Sequence, residues 1–502
     1  MPAFKTIYFP DYETKHGTHT GLSVAFSDED GALHKAIKPL SSFTIRKAIG
    51  HDRYSDALAH AEQKGLSVSA YIRDRLAHRF ASKVRNSGFG FDAAMQSTFR
   101  GGQGNPLHDW FPYLEGYSPE FVETIIRERM PSARHVFDPF CGSGTTVLTA
   151  AQMGIEGLYS EVNPACQFVI SAKAAALESS EGERRELSGR LNDFADDLPR
   201  LVSATVVDDE MSRLFASAFG SRPFFDKSTF DAVLAVRAII DVVRDKKPKV
   251  AQLVELAAIA SLVPNSLLIR RGDLRFRKGS ELQRFEPDFI GTVAERVRQI
   301  GSDLMDIPAT SASVTCLGSD IRNVRCDTSL RFDAIITSPP YLNGTNYFRN
   351  TKIELWFLRE LMSKHGLRTY RDAAITAGIN DVTSAKASLS KASKLARLND
   401  VVSQLSKNAY DQRIPMMVAS YFAEMTEALK KLKEFSHQGT TVAIDLGDSC
   451  YGDVWVPTDL IIREIMMELG FCFQEEVILR ERISRSGKPL RQTLQIFGVW
   501  KP

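Results

Sequence analysis

The chain has 502 residues, enough for a catalytic domain and one or two additional modules. Its apolar fraction of 43% and charged fraction of 25% are typical of a globular protein, and no run of about 18 apolar residues predicts a membrane span. The N-terminus also lacks the apolar core of a secretory signal. We therefore expect a cytoplasmic protein without membrane contacts. The net charge of +2 does not by itself indicate nucleic acid.

The six cysteines favour reduced thiols over a disulfide framework or a zinc site. None forms a CxxC pair, and none has a histidine partner at the spacing of a metal site. We therefore predict no bound metal. The cysteines are Cys141, Cys166, Cys316, Cys326, Cys450 and Cys472.

The first 103 residues carry no motif that indicates a function. Residues 55–87 repeat apolar side chains at helical spacing, and Gly88 and Gly90 follow them. This pattern predicts a helical N-terminal extension over residues 1–103.

Residues 104–172 have the pattern of a parallel α/β sheet. A short apolar strand at 135–137 runs into a glycine-rich loop, a helix follows from Thr145, and a second strand occupies 157–161. A strand, a glycine-rich loop, a helix and a strand in this order are how such a sheet begins.

Two insertions interrupt the predicted sheet. Residues 173–312 are mostly helical by period and far longer than the dozen or so residues that a crossover needs, so they form an inserted module. Strand-like runs resume from residue 313, and the remainder, 313–502, forms the second half of the core. A second insertion, at about 367–414, is rich in Lys, Ser and Ala.

The loop at 138–146 has the chemistry of a nucleotide-cofactor site. Gly142 and Gly144 permit positive φ and close approach of a ligand, and the free N–H groups at the next helix start favour a carboxylate. Asp138 can pair with an ammonium group, and Glu161, at the end of the next strand, can hold ribose hydroxyls. The loop lacks both the GxGxxG pattern and a Walker lysine, which argues against NAD and ATP.

Asp320, which follows the strand at 313–317, has two possible roles. Its carboxylate could accept a hydrogen bond from the adenine amine of a cofactor, or it could cap the turn that begins at Ile321. The sequence leaves both roles open.

The segment Ser338-Pro339-Pro340-Tyr341 follows a buried strand and suits a planar amine. The two prolines fix φ and keep the preceding residue extended, so the carbonyls of Ser338 and Pro339 can be held outward. Two fixed acceptors orient an NH₂ group whose lone pair must meet an electrophilic methyl, and Tyr341 offers a face for a flipped base. Positioning and electrostatics carry such a reaction without a metal.

Together, the two motifs resemble those of S-adenosylmethionine-dependent DNA amino-methyltransferases, which modify N4 of cytosine or N6 of adenine. The resemblance covers about 104–172 and 313–500, including 161–164, 342–358 and 441–449. It implies a Rossmann-like methyltransferase sheet, S-adenosyl-L-methionine as cofactor and double-stranded DNA as partner.

The resemblance also assigns site residues. In this family, Ser at the first motif position mostly accompanies N4-cytosine, while Asp or Asn mostly accompanies N6-adenine, so Ser338 favours cytosine. The residues assigned to the cofactor are Asp138, Pro139, Phe140, Gly142, Gly144, Thr145, Glu161 and Asp320, and those assigned to the target base are Ser338, Pro339, Pro340 and Tyr341.

The leading hypothesis is a base-flipping DNA methyltransferase of a restriction–modification or phage-defence system, with a cognate restriction endonuclease encoded separately. The alternatives are an N6-adenine enzyme, an RNA or tRNA base methyltransferase, and a non-catalytic nucleic-acid-binding relative. Intact residues in both motifs argue against the last of these.

The location of the DNA-reading surface is open, because many enzymes with this catalytic motif place it before the cofactor motif and this chain reverses the order. Two basic clusters are candidates for phosphate contacts, each with a solvated surface as its alternative role. The first comprises Arg270, Arg271, Arg275, Arg277 and Lys278, and the second Lys386, Lys391, Lys394 and Arg397.

Overall fold

The chain forms two compact units, Met1–Ser97 and Thr98–Pro502. The computed structural model describes residues 104–113, 115–207, 209–325, 331–342, 347–382, 395–484 and 487–499, together with the backbone of four short strands between residues 4 and 27.

The described part of the first unit consists of two antiparallel strand pairs. The strands are β1 (Phe4–Tyr8), which pairs with β4 (Ser23–Ser27), and β2 (Tyr12–Thr14), which pairs with β3 (Gly17–His19). The helical segment predicted at residues 55–87 lies outside the described residues.

The second unit is organised around a mostly parallel sheet. Its strands are β5 (His135–Asp138), β6 (Glu156–Ser160), β7 (Leu268–Arg271), β8 (Asp273–Phe276), β9 (Val314–Gly318), β10 (Phe332–Thr337), β11 (Ser436–Gly447), β12 (Ser449–Tyr451), β13 (Val454–Val456), β14 (Phe471–Ile483) and β15 (Pro489–Val499). Seven of them form one sheet in the order β14-β15-β11-β10-β5-β6-β9. β15 runs antiparallel to both of its neighbours, and the other adjacent strands are parallel.

The helices of this unit alternate with the strands or lie in the insertions. They are α1 (Pro119–Arg129), α2 (Thr145–Gln152), α3 (Pro164–Leu177), α4 (Glu181–Ala204), α5 (Glu210–Phe219), α6 (Lys227–Lys246), α7 (Pro248–Leu262), α8 (Ser280–Gln283), α9 (Phe289–Asp303), α10 (Tyr347–Asn350), α11 (Lys352–Phe357), α12 (Gly366–Ala373), α13 (Ala396–Asn408), α14 (Ile414–Phe435) and α15 (Thr458–Glu468).

The sheet is covered on both faces. In the central strand β10, Ala334, Ile335 and Ile336 are all buried, as expected of a parallel strand between two helical layers. Consecutive residues of β6 enter different cores: Leu158 packs with the cluster around α14, whereas Tyr159 packs with a cluster on α2. This alternation follows from the two-residue period of a strand.

The first predicted insertion, residues 173–312, contains α4 to α9 and the hairpin β7–β8. Its helices share a core with Trp356 and Phe357 of α11, which anchors the insertion to the second half of the sheet. The second predicted insertion, 367–414, contains α13, and its residues 383–394 lie outside the described part of the chain.

The strand order changes direction between β5 and β10, which lie side by side although about 200 residues separate them in sequence. In open α/β sheets, ligands bind outside the carboxyl ends of the strands at such a switch point. The predicted α/β fold with a Rossmann-like, mostly parallel sheet is confirmed. Within the described residues, no helix has the length and apolar character needed to cross a membrane.

Candidate active site

Asp138, the last residue of β5, joins the two predicted motifs. Its Oδ1 accepts hydrogen bonds from the Thr337 hydroxyl at 2.7 Å and the Phe140 N–H at 3.1 Å. Its Oδ2 accepts from the hydroxyls of Thr146 at 2.6 Å and Tyr117 at 3.3 Å. Because Thr337 ends β10, this one carboxylate ties together the carboxyl ends of two neighbouring strands.

The electrostatics of Asp138 follow from its position. Burial raises the pKa of Asp138 to about 6, although the hydrogen bonds from Thr146 and Thr337 favour the charged form. All four of these hydrogen bonds come from the protein itself, and the side chain is only 2% exposed. Direct pairing of Asp138 with an ammonium group stays a prediction; in the structure its carboxylate fixes the loop.

The two glycines of the loop adopt conformations that exclude side chains. Gly142 has φ 55° and Gly144 has φ 93°. An added Cβ would lie 2.9 Å from Cε1 of Tyr113 at the first position and 2.9 Å from Cγ1 of Ile170 at the second. Gly144 is also the N-cap of α2. The loop is therefore a backbone cradle at a helix N-terminus, which fits an anionic group of a cofactor.

Glu161 follows β6 and holds the cradle from the side. Its Oε2 accepts from the Gly142 N–H at 2.7 Å, and its Oε1 accepts from the Asn163 N–H at 2.8 Å. Each oxygen retains a second lone pair, so the carboxylate can also accept from hydroxyls of a ribose. Burial raises the pKa of Glu161 to about 7. The predicted ribose acid and the predicted loop are thus one hydrogen-bonded unit.

Asp320 caps the turn after β9. Its Oδ1 accepts from the backbone N–H of Arg322 at 3.0 Å, and the Arg322 guanidinium donates to Oδ2 at 2.8 Å. Of the two roles that the sequence left open, capping is present in the structure. A contact of Asp320 with adenine stays a prediction.

The predicted amine motif follows β10 directly. Pro339 is buried, while Ser338, Pro340 and Tyr341 are half-buried. The Tyr341 N–H donates to the Tyr347 hydroxyl at 3.2 Å. The Tyr341 ring rests against Gly447 at the end of β11, where an added Cβ would come within 3.3 Å of ring atoms. The position of the Tyr341 ring is therefore fixed by the backbone of Gly447 on one side and by the hydrogen bond between the Tyr341 N–H and Tyr347.

The Tyr341 hydroxyl belongs to a polar cluster that was not predicted. Nε2 of Gln492, on β15, donates to this hydroxyl at 3.0 Å and lies 3.0 Å from each carboxylate oxygen of Asp445. Burial raises the pKa of the Tyr341 hydroxyl, and the nearby Asp445 carboxylate raises it further. Burial raises the pKa of Asp445, on β11, to about 7. The signal in the sequence is a carboxylate inside the apolar run Val-Ala-Ile-Asp-Leu at 442–446.

A small cleft adjoins the cofactor loop through Tyr113 and is walled partly by α10. Asn163, next to Glu161, donates through Nδ2 to the Thr351 hydroxyl at 3.0 Å, which joins this wall to the ribose side of the site. The cleft therefore combines aromatic walls with a few polar groups. Its lining residues are Phe111, Pro112, Tyr113, Glu115, Arg270, Tyr347, Asn350 and Thr351.

Comparison with known proteins yields several methyltransferases at low identity, and no family model matches the chain. The Type II methyltransferase M.BsoBI of Geobacillus stearothermophilus is 22% identical over 436 residues, which are 78% of this chain and 84% of the relative. M.AvaI of Anabaena variabilis is 22% identical over 439 residues, or 80% and 88%. M.MvaI of Kocuria varians is 21% identical over 378 residues, or 69% and 77%.

Among solved structures, the rRNA methyltransferase aviRa from Streptomyces viridochromogenes covers 76% of this chain and 85% of its own, with 9% identity and a TM-score of 0.26.

The first basic cluster, on hairpin β7–β8 and the turn after it, is largely engaged within the protein. Arg270 forms an ion pair with Glu354, whose side chain is 1% exposed, and donates to the Asn350 carbonyl at 2.8 Å. Arg275 donates to both carboxylate oxygens of Glu281, at 2.8 and 2.9 Å.

The other three cations of this cluster differ from one another. Arg277 donates to the carbonyls of Ser266 and Pro264 at 3.0 Å and stacks over the ring of Phe285. Arg271 and Lys278 are exposed, and Arg271 lies 3.3 Å from Glu281. DNA contacts for the cluster stay a prediction, and within it Arg271 and Lys278 project furthest into solvent.

The second basic cluster falls mostly outside the described residues, which exclude Lys386, Lys391 and Lys394. Arg397 lies on α13 and pairs with Glu464 at 2.7 Å.

Proposed function

We propose that the chain is a DNA methyltransferase that transfers a methyl group from S-adenosyl-L-methionine to the exocyclic N4 of a cytosine flipped out of double-stranded DNA. The observation that supports this most strongly is the 2.7 Å hydrogen bond between Thr337 and Asp138. It joins a cofactor-type loop and an amine-type motif at the switch point of one sheet, where parallel α/β sheets bind ligands.

The residues present fit the cofactor. The N-terminus of α2, which Gly144 caps, suits its methionine carboxylate, and Glu161 suits its ribose. The aromatic ring of Tyr113 packs against this cradle. When bound, the cofactor supplies an electrophilic methyl group, and the protein orients the acceptor towards it.

The target amine is held by the motif after β10. The carbonyls of Ser338 and Pro339 accept its two hydrogens, and the ring of Tyr341 stacks on the base. Ser at position 338 favours cytosine N4 over adenine N6. No metal takes part, because the chemistry consists of orientation and charge stabilisation.

The similarity to Type II methyltransferases over 69% to 80% of the chain supports DNA as the substrate and a restriction–modification setting, with a cognate endonuclease as the functional counterpart.

The test is methyl transfer from radiolabelled cofactor to unmethylated duplex DNA, followed by digestion to nucleosides and chromatography. We expect label in N4-methyldeoxycytidine. Label in N6-methyldeoxyadenosine would change the target base, and transfer to RNA alone would overturn the DNA proposal. Tyr341→Ala should bind cofactor normally yet lose transfer, and normal turnover by that variant would exclude base stacking on Tyr341.

A further inference from the structure

The hairpin of β14 and β15 extends beyond the strand next to it. β15 pairs with β11 only as far as Gln492, opposite Gly447, whereas its pairing with β14 continues to Pro489, opposite Ile483. The further positions, 491 to 489, correspond to about 10 Å of strand. Because β14 runs parallel to β10 and β11, this extension leaves the carboxyl edge of the sheet, where the candidate active site lies. We call residues 480–483 and 489–491 the projecting ribbon.

One face of the projecting ribbon is positively charged. Arg480 and Arg482 share this face, since side chains alternate along a strand. Both arginines are exposed, and within the described parts of the chain neither forms an ion pair with an acid. The Arg482 guanidinium donates to the backbone carbonyl of Asp448 at 3.5 Å, which leaves its charge uncompensated. Two arginines are therefore available to an anion on this face.

The charges on the other face are balanced by the protein itself. Arg491 lies opposite Glu481 on this face, so a cation and an acid are neighbours. The Arg491 guanidinium also pairs with Asp459 at 3.2 Å, and the Asp459 side chain is only 1% exposed. Only the face of Arg480 and Arg482 thus carries an excess of positive charge.

The positive face is also the one that adjoins the amine motif. Arg480 lies directly opposite Gln492, whose amide donates to the Tyr341 hydroxyl at 3.0 Å. On the next strand, Gly447 lies opposite Gln492 and supports the Tyr341 ring. Arg480 is therefore two strands, or about 10 Å, from the backbone on which that ring rests. Burial raises the pKa of Asp445 and the charge of Arg480 opposes this rise, which also places Arg480 beside the site.

A second hairpin, β12–β13, ties the β14–β15 hairpin to the amine motif. The ammonium group of Lys488, in the turn between β14 and β15, donates to the carbonyl of Asp453, in the turn between β12 and β13. The hydroxyl of Tyr451, on β12, donates at 2.9 Å to the carbonyl of Leu342, the residue after the motif. The position of the projecting ribbon is therefore fixed relative to the proposed base pocket.

We propose that the projecting ribbon binds the backbone of the DNA, and that Arg480 and Arg482 contact phosphates beside the flipped nucleotide. This inference rests on the proposed function. A flipped base stays attached to its strand, so the adjacent phosphates pass over the mouth of the pocket, and a guanidinium fork matches the geometry of a phosphate. Hairpin β7–β8 is less suited, because Arg270 and Arg275 pair with acids of the protein.

The first arm of the test is the salt dependence of binding to a fluorescein-labelled DNA duplex of mixed sequence, measured by fluorescence anisotropy. Each lost phosphate contact reduces the slope of log Kobs against log salt concentration by about 0.9. The double variant Arg480→Gln, Arg482→Gln should therefore reduce the slope by about 1.8 and weaken binding about 10-fold or more at about 0.1 M salt. An unchanged slope would overturn the assignment of the ribbon.

Two other variants are compared in the same assay. Arg134→Gln is the matched control, because the Arg134 side chain is 81% exposed but precedes β5, at the opposite edge of the sheet, so its slope should equal that of the wild type. The double variant Arg271→Gln, Lys278→Gln removes the exposed cations of hairpin β7–β8. A slope reduced in this variant and not in the ribbon variant would place the DNA on that hairpin and overturn the proposal.

The second arm is photochemical cross-linking to the same duplex. Ile483, 71% exposed at the end of β14, is replaced by p-benzoylphenylalanine, and so is Met467, 55% exposed near the end of α15 and close to the start of β14. We expect a protein–DNA adduct from position 483 and none from position 467. An adduct from position 467 alone, or from neither position, would contradict the proposed surface.

The two arms also separate this inference from the proposed function. If the wild type binds the duplex and the ribbon variant loses slope, but no methyl group is transferred, the proposed activity is overturned and the DNA surface stands. If the wild type methylates DNA and the ribbon variant keeps its slope, the surface alone is overturned. A wild type that binds duplex RNA and no DNA would overturn both.

Discussion

The carboxyl edge of the sheet has two halves that are built differently. In the half proposed for the cofactor, here called the cofactor half, Glu161 is held by backbone N–H groups of Gly142 and Asn163. In the half proposed for the target base, here called the target half, Asp445 is held by the side chain of Gln492, which also donates to the Tyr341 hydroxyl. Burial raises the pKa of both carboxyls to about 7, so the difference lies in their partners and not in their charge state.

The partners decide what each carboxylate can do. A backbone N–H of Gly142 positions Glu161 through main-chain geometry, whereas Gln492 positions Asp445 through a side chain that a single substitution can remove. The cofactor half is therefore suited to rigid binding and the target half to chemistry. A site formed by the backbone should lose binding when an added side chain blocks it. A site formed by side chains should lose activity when a single functional group is removed.

The largest expected effect is steric and falls in the cofactor half. Gly142→Val would set a branched Cβ within 2.9 Å of the Tyr113 ring at a φ of 55°, so cofactor binding should drop below detection by titration calorimetry. Gly154→Ala is the matched control, because Gly154 also has positive φ, 79°, yet an added Cβ would meet nothing within 4 Å. Normal binding by Gly142→Val would show that the cofactor does not bind against this loop.

A smaller effect is expected at the junction of the halves. Thr337→Val keeps the side-chain shape but removes the hydroxyl that donates to Asp138 at 2.7 Å. Loss of a hydrogen bond to a buried carboxylate should cost about 1 to 3 kcal/mol of unfolding free energy and raise the pKa of Asp138 further. Urea denaturation at neutral pH measures the first effect, and kcat should fall about tenfold if strand-end alignment matters.

The control for that substitution is Thr149→Val. Thr149 is buried on α2, and its hydroxyl has no hydrogen-bond partner among the described residues. Its replacement should therefore leave both stability and kcat almost unchanged. Equal losses in the two variants would mean that the Thr337 hydroxyl does not hold the halves together.

The same difference explains what the sequence could reveal. The cofactor loop was predictable because its glycines, its acid and the following helix are close in sequence and act through local backbone geometry. Gln492 and Asp445 meet only because β11 pairs with β15, and that register is not encoded in either local pattern. The polar cluster therefore appears only once the sheet is assembled.

The basic hairpin shows a second reason for incomplete prediction. Five cations close in sequence suggested a phosphate-binding surface, but a local charge count omits distant acids. Glu354 lies on α11 and forms an ion pair with Arg270, and both side chains are largely buried. Glu281, only a few residues downstream, accepts hydrogen bonds from both terminal nitrogens of the Arg275 guanidinium. Spacing indicates where charges are, and only the fold shows which of them remain exposed.

The smallest expected effect is a change in stability at Asp448, whose carboxyl pKa is raised as much as that of Asp445. Burial, reinforced by the Asp459 carboxyl, raises the pKa of Asp448 to about 7. A raised folded-state pKa means that the folded protein holds the proton more tightly, so ionisation of Asp448 destabilises the folded state. This destabilisation is absent below about pH 4, grows up to about pH 7 and is complete above it. Asp448→Asn should therefore stabilise the fold by about 1 to 2 kcal/mol at pH 8, with no gain near pH 4.

Urea denaturation of Asp448→Asn and Asp445→Asn across this pH range then sharpens the contrast. Because burial raises the pKa of each carboxyl, both substitutions should stabilise the fold at high pH. Only the one at Asp445 should slow methyl transfer, because Gln492 joins Asp445 to the Tyr341 hydroxyl. If a substitution stabilises the fold without slowing methyl transfer, the charge that it removes serves another purpose. If it stabilises the fold and also slows methyl transfer, the carboxylate is retained for the reaction in spite of its cost in stability.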